Sequence, residues 1–385
     1  MPRPPLLRSL APLVRGAGRR TVLLVVSLLA LLALIATLTE PRPHSFPDQI
    51  QPAGPLVGDP TTLTVGIYAT NNHAIDLGQP SFIAEGFIWL RWGPELDRLL
   101  QESAIDVDEL ITFENQIEGW DTSWIKASEK PRRLDDGSYY QLYQYSQKLY
   151  INGLSLRHYP FQDIDLPIVL EPNDQTDRLV FDRFRLVPDV RNTQIGSNID
   201  VPGYVTHGWS FREVKHRYGS NFGLATKRTK VDNNVYSQLV FKVNYRRSTW
   251  ASIWAMFQPL AVTLAVVMIS PSLASNLWEV RLAIPTTVLL TLVFLQEGYK
   301  SKLPELPYLT YLDKVYAIAY LITLASFLLY LWGANQIAHT SIAADESEAT
   351  PPSAALLTRL NHLDHRFQLW SLVAIVVLGA AAWFI

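Results

Sequence analysis

Arg281-Leu-Ala-Ile-Pro285-Thr-Thr287-Val-Leu-Leu290-Thr-Leu-Val-Phe294-Leu-Gln-Glu297, continuing as Gly298-Tyr-Lys-Ser-Lys-Leu303-Pro304-Glu-Leu-Pro307-Tyr-Leu-Thr-Tyr311, decides how the chain is read. A helix of membrane length that carries Thr and Glu along one stripe cannot turn that stripe to lipid, where polar groups find no partners. The stripe has to face protein or water. The segment sits between two more apolar ones and ends in a turn marked by Pro304 and Pro307. That is the arrangement of a helix lining a pore.

Outward from it, the apolar residues of this 385-residue chain concentrate in 22–38, 250–269, 282–296, 315–334 and 369–385. A helix rising about 1.5 Å per residue needs roughly 20 residues to cross a hydrocarbon core. Four spans are therefore expected at about 250–269, 278–297, 315–333 and 368–385, within a membrane domain covering 247–385. Pro259 should kink the first of them. The polar residues 335–366 read as a cytoplasmic loop. Trp250, Trp254, Trp332, Trp370 and Trp383 lie near span ends, where indoles favour the interface.

The first 20 residues hold five arginines and no acid, and Val22 to Leu38 follow as an apolar run. A basic flank before an apolar run stays in the cytoplasm and exports what comes next. Residues 1–39 are thus expected to be a signal peptide or a retained signal anchor. The proline-rich 40–59 reads as a linker. The 60–246 region reads as an exported β domain, and four spans after it return the C-terminus to the same outer side.

Within 60–246 the pattern is of short strand-like runs. Thr61–Tyr68, Ser81–Trp92 and Tyr139–Ile151 are three. Gln238–Tyr245 alternates Leu239, Phe241, Val243 and Tyr245 against Gln238, Lys242 and Asn244. Pro94–Leu100 is the one helix-like interlude. Many short strands with Gly, Asn, Asp and Pro breaks imply an immunoglobulin-like all-β sandwich. The fold class is then α+β in two parts, with the sandwich followed by an all-α four-helix transmembrane domain.

Other classes of function fall away. The net charge of −2 gives no case for nucleic acid. With no cysteine there are no disulfides, thiolate metal sites or cysteine nucleophiles. No nucleophile elbow, zinc-type histidine spacing or phosphate loop is present, so neither an enzyme nor a cofactor or metal is expected.

The ordered motifs resemble a known family. An exported β domain leads through Tyr245-Arg246-Arg247 into four spans, the first with an internal proline. The second span is followed by Leu303-Pro304-Glu305-Leu306-Pro307-Tyr308-Leu309-Thr310-Tyr311. Gly86–Trp92, His158-Tyr159-Pro160-Phe161-Gln162 and Leu166–Pro172 match three further pieces in order. The chain resembles the bacterial, cysteine-free pentameric ligand-gated ion channels of the Cys-loop receptor superfamily. The resemblance implies a homopentamer in membrane lipid, agonist sites at subunit interfaces of the sandwich, and a central pore for inorganic ions lined by the second span.

On a helix, positions three and four apart share a face. From Glu279 that rule selects Ala283, Thr287, Leu290, Phe294 and Glu297 as pore-lining. Carboxylate rings at both ends would favour cations, and apolar rings can gate by dewetting. By resemblance, Leu290 falls at the gate position. Glu279 has the alternative of capping the helix N-terminus. Pro285 departs from the family and predicts either a helix that begins near it or a kink. Phe294 is bulky for a pore position. A non-conducting membrane receptor of the same fold is the alternative reading.

The resemblance also places Phe87 and Trp89 on the complementary face of the agonist site, and Glu171 near the principal face. Tyr218 and Phe222 would lie on a capping hairpin from about Tyr218 to Asn233. Aromatic residues suit an amine agonist, although sandwich packing is the commoner role for each. Protons are the other candidate agonist, acting through Glu171, Asp163, Asp165, His158 or His207. Coupling would involve Pro160, Phe161, Gln162, Asp163, Arg246, Arg247, Pro304 and Pro307. Gln162 stands where the family has an Asp that meets an arginine, so Asp163 or Asp165 would have to replace it.

Overall fold

The computed structural model describes residues 49–54, 61–120, 123–173, 184–220, 235–275, 277–343 and 354–384. These form two compact units. One comprises the β region up to Ser248 without Leu156–Phe161, and the other comprises Leu156–Phe161 with Thr249–Ile385. The segment expected as a signal, 1–39, lies outside the described residues, as do the greater part of the capping hairpin and Phe222.

In the β unit twelve strands run in chain order: β1 (Gln49–Pro52), β2 (Thr61–Asp76), β3 (Ser81–Trp92), β4 (Ile111–Phe113), β5 (Ser123–Lys126), β6 (Arg132–Arg133), β7 (Tyr139–Tyr150), β8 (Ile164–Pro172), β9 (Phe184–Pro188), β10 (Gln194–Ile195), β11 (Tyr204–Arg217) and β12 (Val235–Arg247). One sheet has the order β1-β11-β12-β8-β4. The other runs β10-β2-β3-β7-β5, with β6 on β7 and β9 on β2. The alternation in the sequence is what joins the two sheets. Phe82, Ala84, Ile88 and Leu90 of β3 meet Leu239, Phe241, Val243 and Tyr245 of β12 in one buried core. Helix α1 (Pro94–Ser103) follows β3, begins on a proline whose missing N–H costs nothing at that position, and extends three residues beyond the stretch expected.

The region expected as a linker is partly structured. Gln49–Pro52 pairs with Val214–Arg217 of β11 as an edge strand. A proline is tolerated there because it ends the strand at the sheet's edge.

Among its described residues, the helical unit has four helices long and apolar enough to cross a membrane. These are α2 (Thr249–Ser272), α3 (Trp278–Lys300), α4 (Tyr311–Ala343) and α5 (Ala354–Ala381). Around Pro259, α2 passes through a π-helical stretch, Ile253–Phe257, before resuming at Gln258. The wider turn absorbs the hydrogen bond the proline cannot make. Residues 335–366, expected as a polar loop, are helical at both ends, because α4 continues to Ala343 and α5 starts at Ala354. Polarity there marks helix that emerges past the apolar layer rather than loss of the helix.

Candidate functional site

Helix α3 is two-faced. Arg281, Pro285, Val288, Leu292 and Tyr299 are buried against the neighbouring helices. The stripe read from spacing, Glu279, Ala283, Thr287, Leu290, Phe294 and Glu297, is exposed along its whole length within the single chain. Phe294 leaves 67% of its surface uncovered. The helix is continuous through Pro285, which is buried on the opposite face. The late start and the kink were the two expectations for that residue. The helix instead begins seven residues before it, at Trp278, where Leu277 adopts the non-helical start. The hydroxyls of Thr286, Thr287 and Thr291 donate to the carbonyls of Leu282, Ala283 and Thr287 at 2.9, 3.0 and 2.9 Å. These polar groups are satisfied within the helix and leave the stripe uncharged between its terminal carboxylates.

The buried side of α3 carries a contact that spacing did not reveal. The Arg281 guanidinium meets Asp364 of α5 at 2.5 Å, donates to Ser275 Oγ at 3.1 Å and lies 4.4 Å over the Tyr330 ring of α4. Ser275 in turn donates to Asn361 at 2.9 Å. Both charges are almost fully buried, so the pair ties the first turn of α3 to α5. At the other end of α3, Asp313 accepts from the backbone N–H and hydroxyl of Thr310, from the Tyr299 phenol, and from Lys300 at 3.3 Å. That network fixes the turn containing Pro304 and Pro307.

The tip Leu156–Phe161 packs inside the helical unit. The Leu156 N–H donates to Tyr308 Oη at 3.0 Å, and the N–H groups of Tyr311 and Leu312 donate to the carbonyls of Arg157 and Tyr159 at 2.7 and 3.2 Å. Ser252 Oγ donates to the Pro160 carbonyl at 3.1 Å, next to a cis Tyr159–Pro160 bond. Phe161 stacks on Phe257 at 5.5 Å, Tyr159 on Tyr299 at 6.2 Å, and His158 lies 4.7 Å from the Trp383 ring. The tip thus touches residues of α2, α3 and α4 and the chain just beyond α5. Tyr299 and Asp313 did not stand out in the sequence, and Trp383 was read only as an interface indole, although the density of aromatics in 299–311 was a usable signal.

In the β unit, Asp163 takes the position opposite Arg246 at 3.7 Å, with both side chains more than half exposed. Asp165 instead accepts from Asn244 at 2.6 Å. Arg247 donates to Tyr204 Oη at 3.1 Å and lies over its ring. Gln162 is buried, and neither end of its amide has a hydrogen-bond partner. Tyr245 donates to the Ile199 carbonyl at 2.7 Å and accepts from Asn72. Burial pushes its phenol up to about 12, so it stays neutral and fixes the end of β12.

The residues assigned to the agonist site fall on two different surfaces. Phe87 and Trp89 are half-buried on the outer face of the β3 sheet. Trp89 donates from Nε1 to Asp189 at 3.0 Å, and its indole covers Gly66, where a Cβ would sit 2.0 Å from it. Glu171 and Tyr218 lie on the outer face of the other sheet. The shared core separates the two faces, so one chain cannot bring these residues into one site.

Glu171 is enclosed. It is 4% exposed, beside His216 at 6% and Gln238 at 3%. Its Oε1 meets His216 Nδ1 at 2.5 Å and accepts from Gln238 Nε2 at 2.6 Å, while Oε2 accepts from the Tyr218 phenol. Tyr218 rests against the His216 ring at 4.0 Å and edge-on to Tyr236 at 5.5 Å. Both carboxylate oxygens are therefore occupied by the subunit's own groups. His216 and Gln238 were not picked out, because neither has a sequence neighbour that marks it.

No protein-family model matches the chain. Among curated proteins it is similar to a proton-gated ion channel of Gloeobacter violaceus, 25% identical over 292 residues that cover 71% of this chain and 73% of the relative.

Proposed function

We propose, from the chain's place among the bacterial pentameric ligand-gated ion channels, that five copies assemble around the exposed stripe of α3 to form a ligand-gated pore. The observation that carries this reading is the two-faced helix. A membrane-length helix buries one side in its own subunit and leaves Glu279, Thr287, Leu290, Phe294 and Glu297 uncovered. Carboxylates uncovered at membrane depth are stable only beside water or protein, and five-fold closure supplies water. Rings of Glu279 and Glu297 would favour cations over anions, with Leu290 as the constriction. The β domain and the C-terminus would face the periplasm of a bacterial inner membrane, with signal 1–39, linker 40–59, sandwich 60–246 and membrane domain 247–385.

The agonist sites would lie between subunits, with Phe87 and Trp89 of one copy facing the Glu171–Tyr218 sheet of the next. That geometry follows from their separation on opposite faces of one sandwich. An amine remains a candidate for such an aromatic surface, but Glu171 has no free oxygen to receive it. The proton is the better supported agonist, in keeping with the relative's name. Two exposed acids do not contribute to a response to acid. Hydrogen bonds from the Ser138 hydroxyl and N–H hold the Asp136 carboxyl below the usual carboxylate range. The Thr206 hydroxyl and N–H do the same for Asp200. Both remain ionised at pH 4.5. Coupling would run through the tip Pro160–Phe161, the Arg246–Asp163 pair and the Pro304–Pro307 turn.

The test is ion flux into liposomes, sodium or potassium against chloride, at pH 7.5 and 4.5, with and without an amine panel, on protein whose pentameric mass has been measured. Acid- or amine-dependent cation flux is expected, and Glu279→Gln should reduce the preference for cations. A monomeric mass with no flux defeats the reading. Phe294 favours a second reading, a receptor of the same fold that does not conduct, because a ring of five such side chains can close the conduit. Flux gained in Phe294→Ala from a silent wild-type pentamer would support that second reading.

A further inference from the structure

The first turn of α3 carries two charges on opposite sides of the helix. Glu279 is exposed on the stripe assigned to the pore, whereas Arg281, two residues on, is 4% exposed on the packed side. Residues two apart lie about 200° apart around a helix axis, and a helix with its side chains is about 10–12 Å across. The guanidinium therefore sits behind the Glu279 carboxylate, with the helix between them.

An arginine stays protonated in a protein, so only a partner can cancel its charge. Among the described residues, the Arg281 guanidinium meets the Asp364 carboxylate at 2.5 Å, the Ser275 hydroxyl at 3.1 Å and the Tyr330 ring at 4.4 Å. Of these three, Asp364 is the acid. Tyr330 is itself held, because its hydroxyl shares a 2.6 Å hydrogen bond with Ser270 Oγ. Asp364 is also 4% exposed. The basic residues described near it on α5, Arg359, His362, His365 and Arg366, are all exposed, where salt screens them.

The consequence is electrostatic. Glu279, Arg281 and Asp364 together sum to one negative charge per subunit, and without Asp364 they sum to none. Salt screens a buried charge much less than an exposed one. Low-dielectric walls also focus a charge's field into a water-filled conduit. Unbalanced guanidinium groups behind a ring of Glu279 side chains would oppose the attraction of that ring for cations.

We propose that Asp364, although it lies outside the pore stripe, is a determinant of ion selectivity: it neutralises Arg281 inside each subunit, so that the Glu279 ring acts on the permeant ion unopposed. This rests on the channel reading and adds to it a residue of α5. A contact that only fastened α3 to α5 would be lost equally by neutralising Asp364 alone or both partners together. Charge compensation separates the two cases.

Reversal potentials across planar bilayers holding the full chain as its pentamer, in a sodium chloride gradient and under the condition that opens the wild type, read the permeability of sodium relative to chloride. Asp364→Asn keeps the size of the side chain and one acceptor oxygen for Arg281 while removing the charge. The sodium preference is expected to fall by about threefold or more. Adding Arg281→Gln leaves two neutral groups, and neutral replacement of both members of a buried pair is tolerated far better than loss of one. The preference should then return to within about twofold of the wild type. An unchanged ratio in Asp364→Asn overturns the proposal, as does a ratio that stays low in the double variant. If Asp364→Asn does not assemble, the double variant decides: a wild-type ratio sustains the proposal and a lowered one overturns it. A wild type that prefers chloride defeats the cation reading, yet a further shift toward chloride in Asp364→Asn would still sustain the role of Asp364. A wild-type pentamer that passes no ions defeats the channel reading and this proposal with it.

Discussion

Two buried carboxylates, one in each unit, are held by opposite kinds of partner. Asp364 of α5 faces Arg281, a guanidinium that cannot shed its proton in a protein. Glu171 of β8 faces His216, an imidazole whose ring can be neutral or cationic. Both pairs are similarly close and similarly enclosed. The first is a permanent fastening between the start of the pore-facing helix and α5. The second pairs an acid with a ring that need not carry charge. The difference teaches that burial of an acid says little by itself, and that the chemistry of its partner decides whether the contact must be an ion pair.

The comparison is broken most directly by truncating each acid in turn. Asp364→Ala strands a charge that cannot be neutralised, and removing one member of a buried ion pair typically costs about 3–5 kcal/mol. Glu171→Ala leaves an imidazole that can become neutral, together with an amide and a phenol lacking an acceptor. Its cost should be nearer the roughly 1–3 kcal/mol of an unsatisfied buried group. Amide exchange in α3 and α5 for the first, and in β11 and β12 for the second, supplies both numbers. The Asp364→Ala loss should be flat between pH 6 and pH 9. Equal losses, or a pH-dependent loss at Asp364, would erase the distinction.

A smaller effect sharpens the same contrast. Gln238→Leu removes one donor to Glu171 and leaves the His216 and Tyr218 contacts in place. A hydrogen bond to a charged group contributes about 1.5–3 kcal/mol. Amide exchange in β11 and β12 should show a loss within that range, and no loss would mean that the two remaining donors hold the carboxylate without Gln238.

How much of this was legible beforehand follows from the distance in sequence between cooperating residues. The stripe Glu279–Glu297 could be read because a single helix imposes its own period, and the buried alternation of Leu239, Phe241, Val243 and Tyr245 because a single strand does. The late start expected at Pro285 is not seen, because its local cost falls in the first turns of α3 and on the packed face, where neighbouring helices offset it. Gln49–Pro52 hid in a proline-rich stretch because an edge strand needs hydrogen bonds along one side only. Asp364 is 83 residues from Arg281, and Gln238 is 67 from Glu171. No local pattern encodes either pairing. The same holds for the tip at Leu156–Phe161, whose partners come from four separate helical segments.

The least consequential pair energetically is the one the family resemblance drew attention to. Arg246 and Asp163 stand 3.7 Å apart, but at 60% and 57% exposure water screens most of their attraction. Exposed pairs measured by double-mutant cycles contribute about 0.2–1 kcal/mol. The cycle Arg246→Gln, Asp163→Asn and the double variant, read by thermal unfolding of the β unit in the full chain, should give a coupling within that range. The coupling should shrink further in high salt, since the Debye length falls to about 3 Å at 1 M. A coupling of 2 kcal/mol or more would mean that the pair is shielded from water in the assembled protein. Arg246 and Asp163 would then join Arg281 and Asp364 as a second permanent fastening.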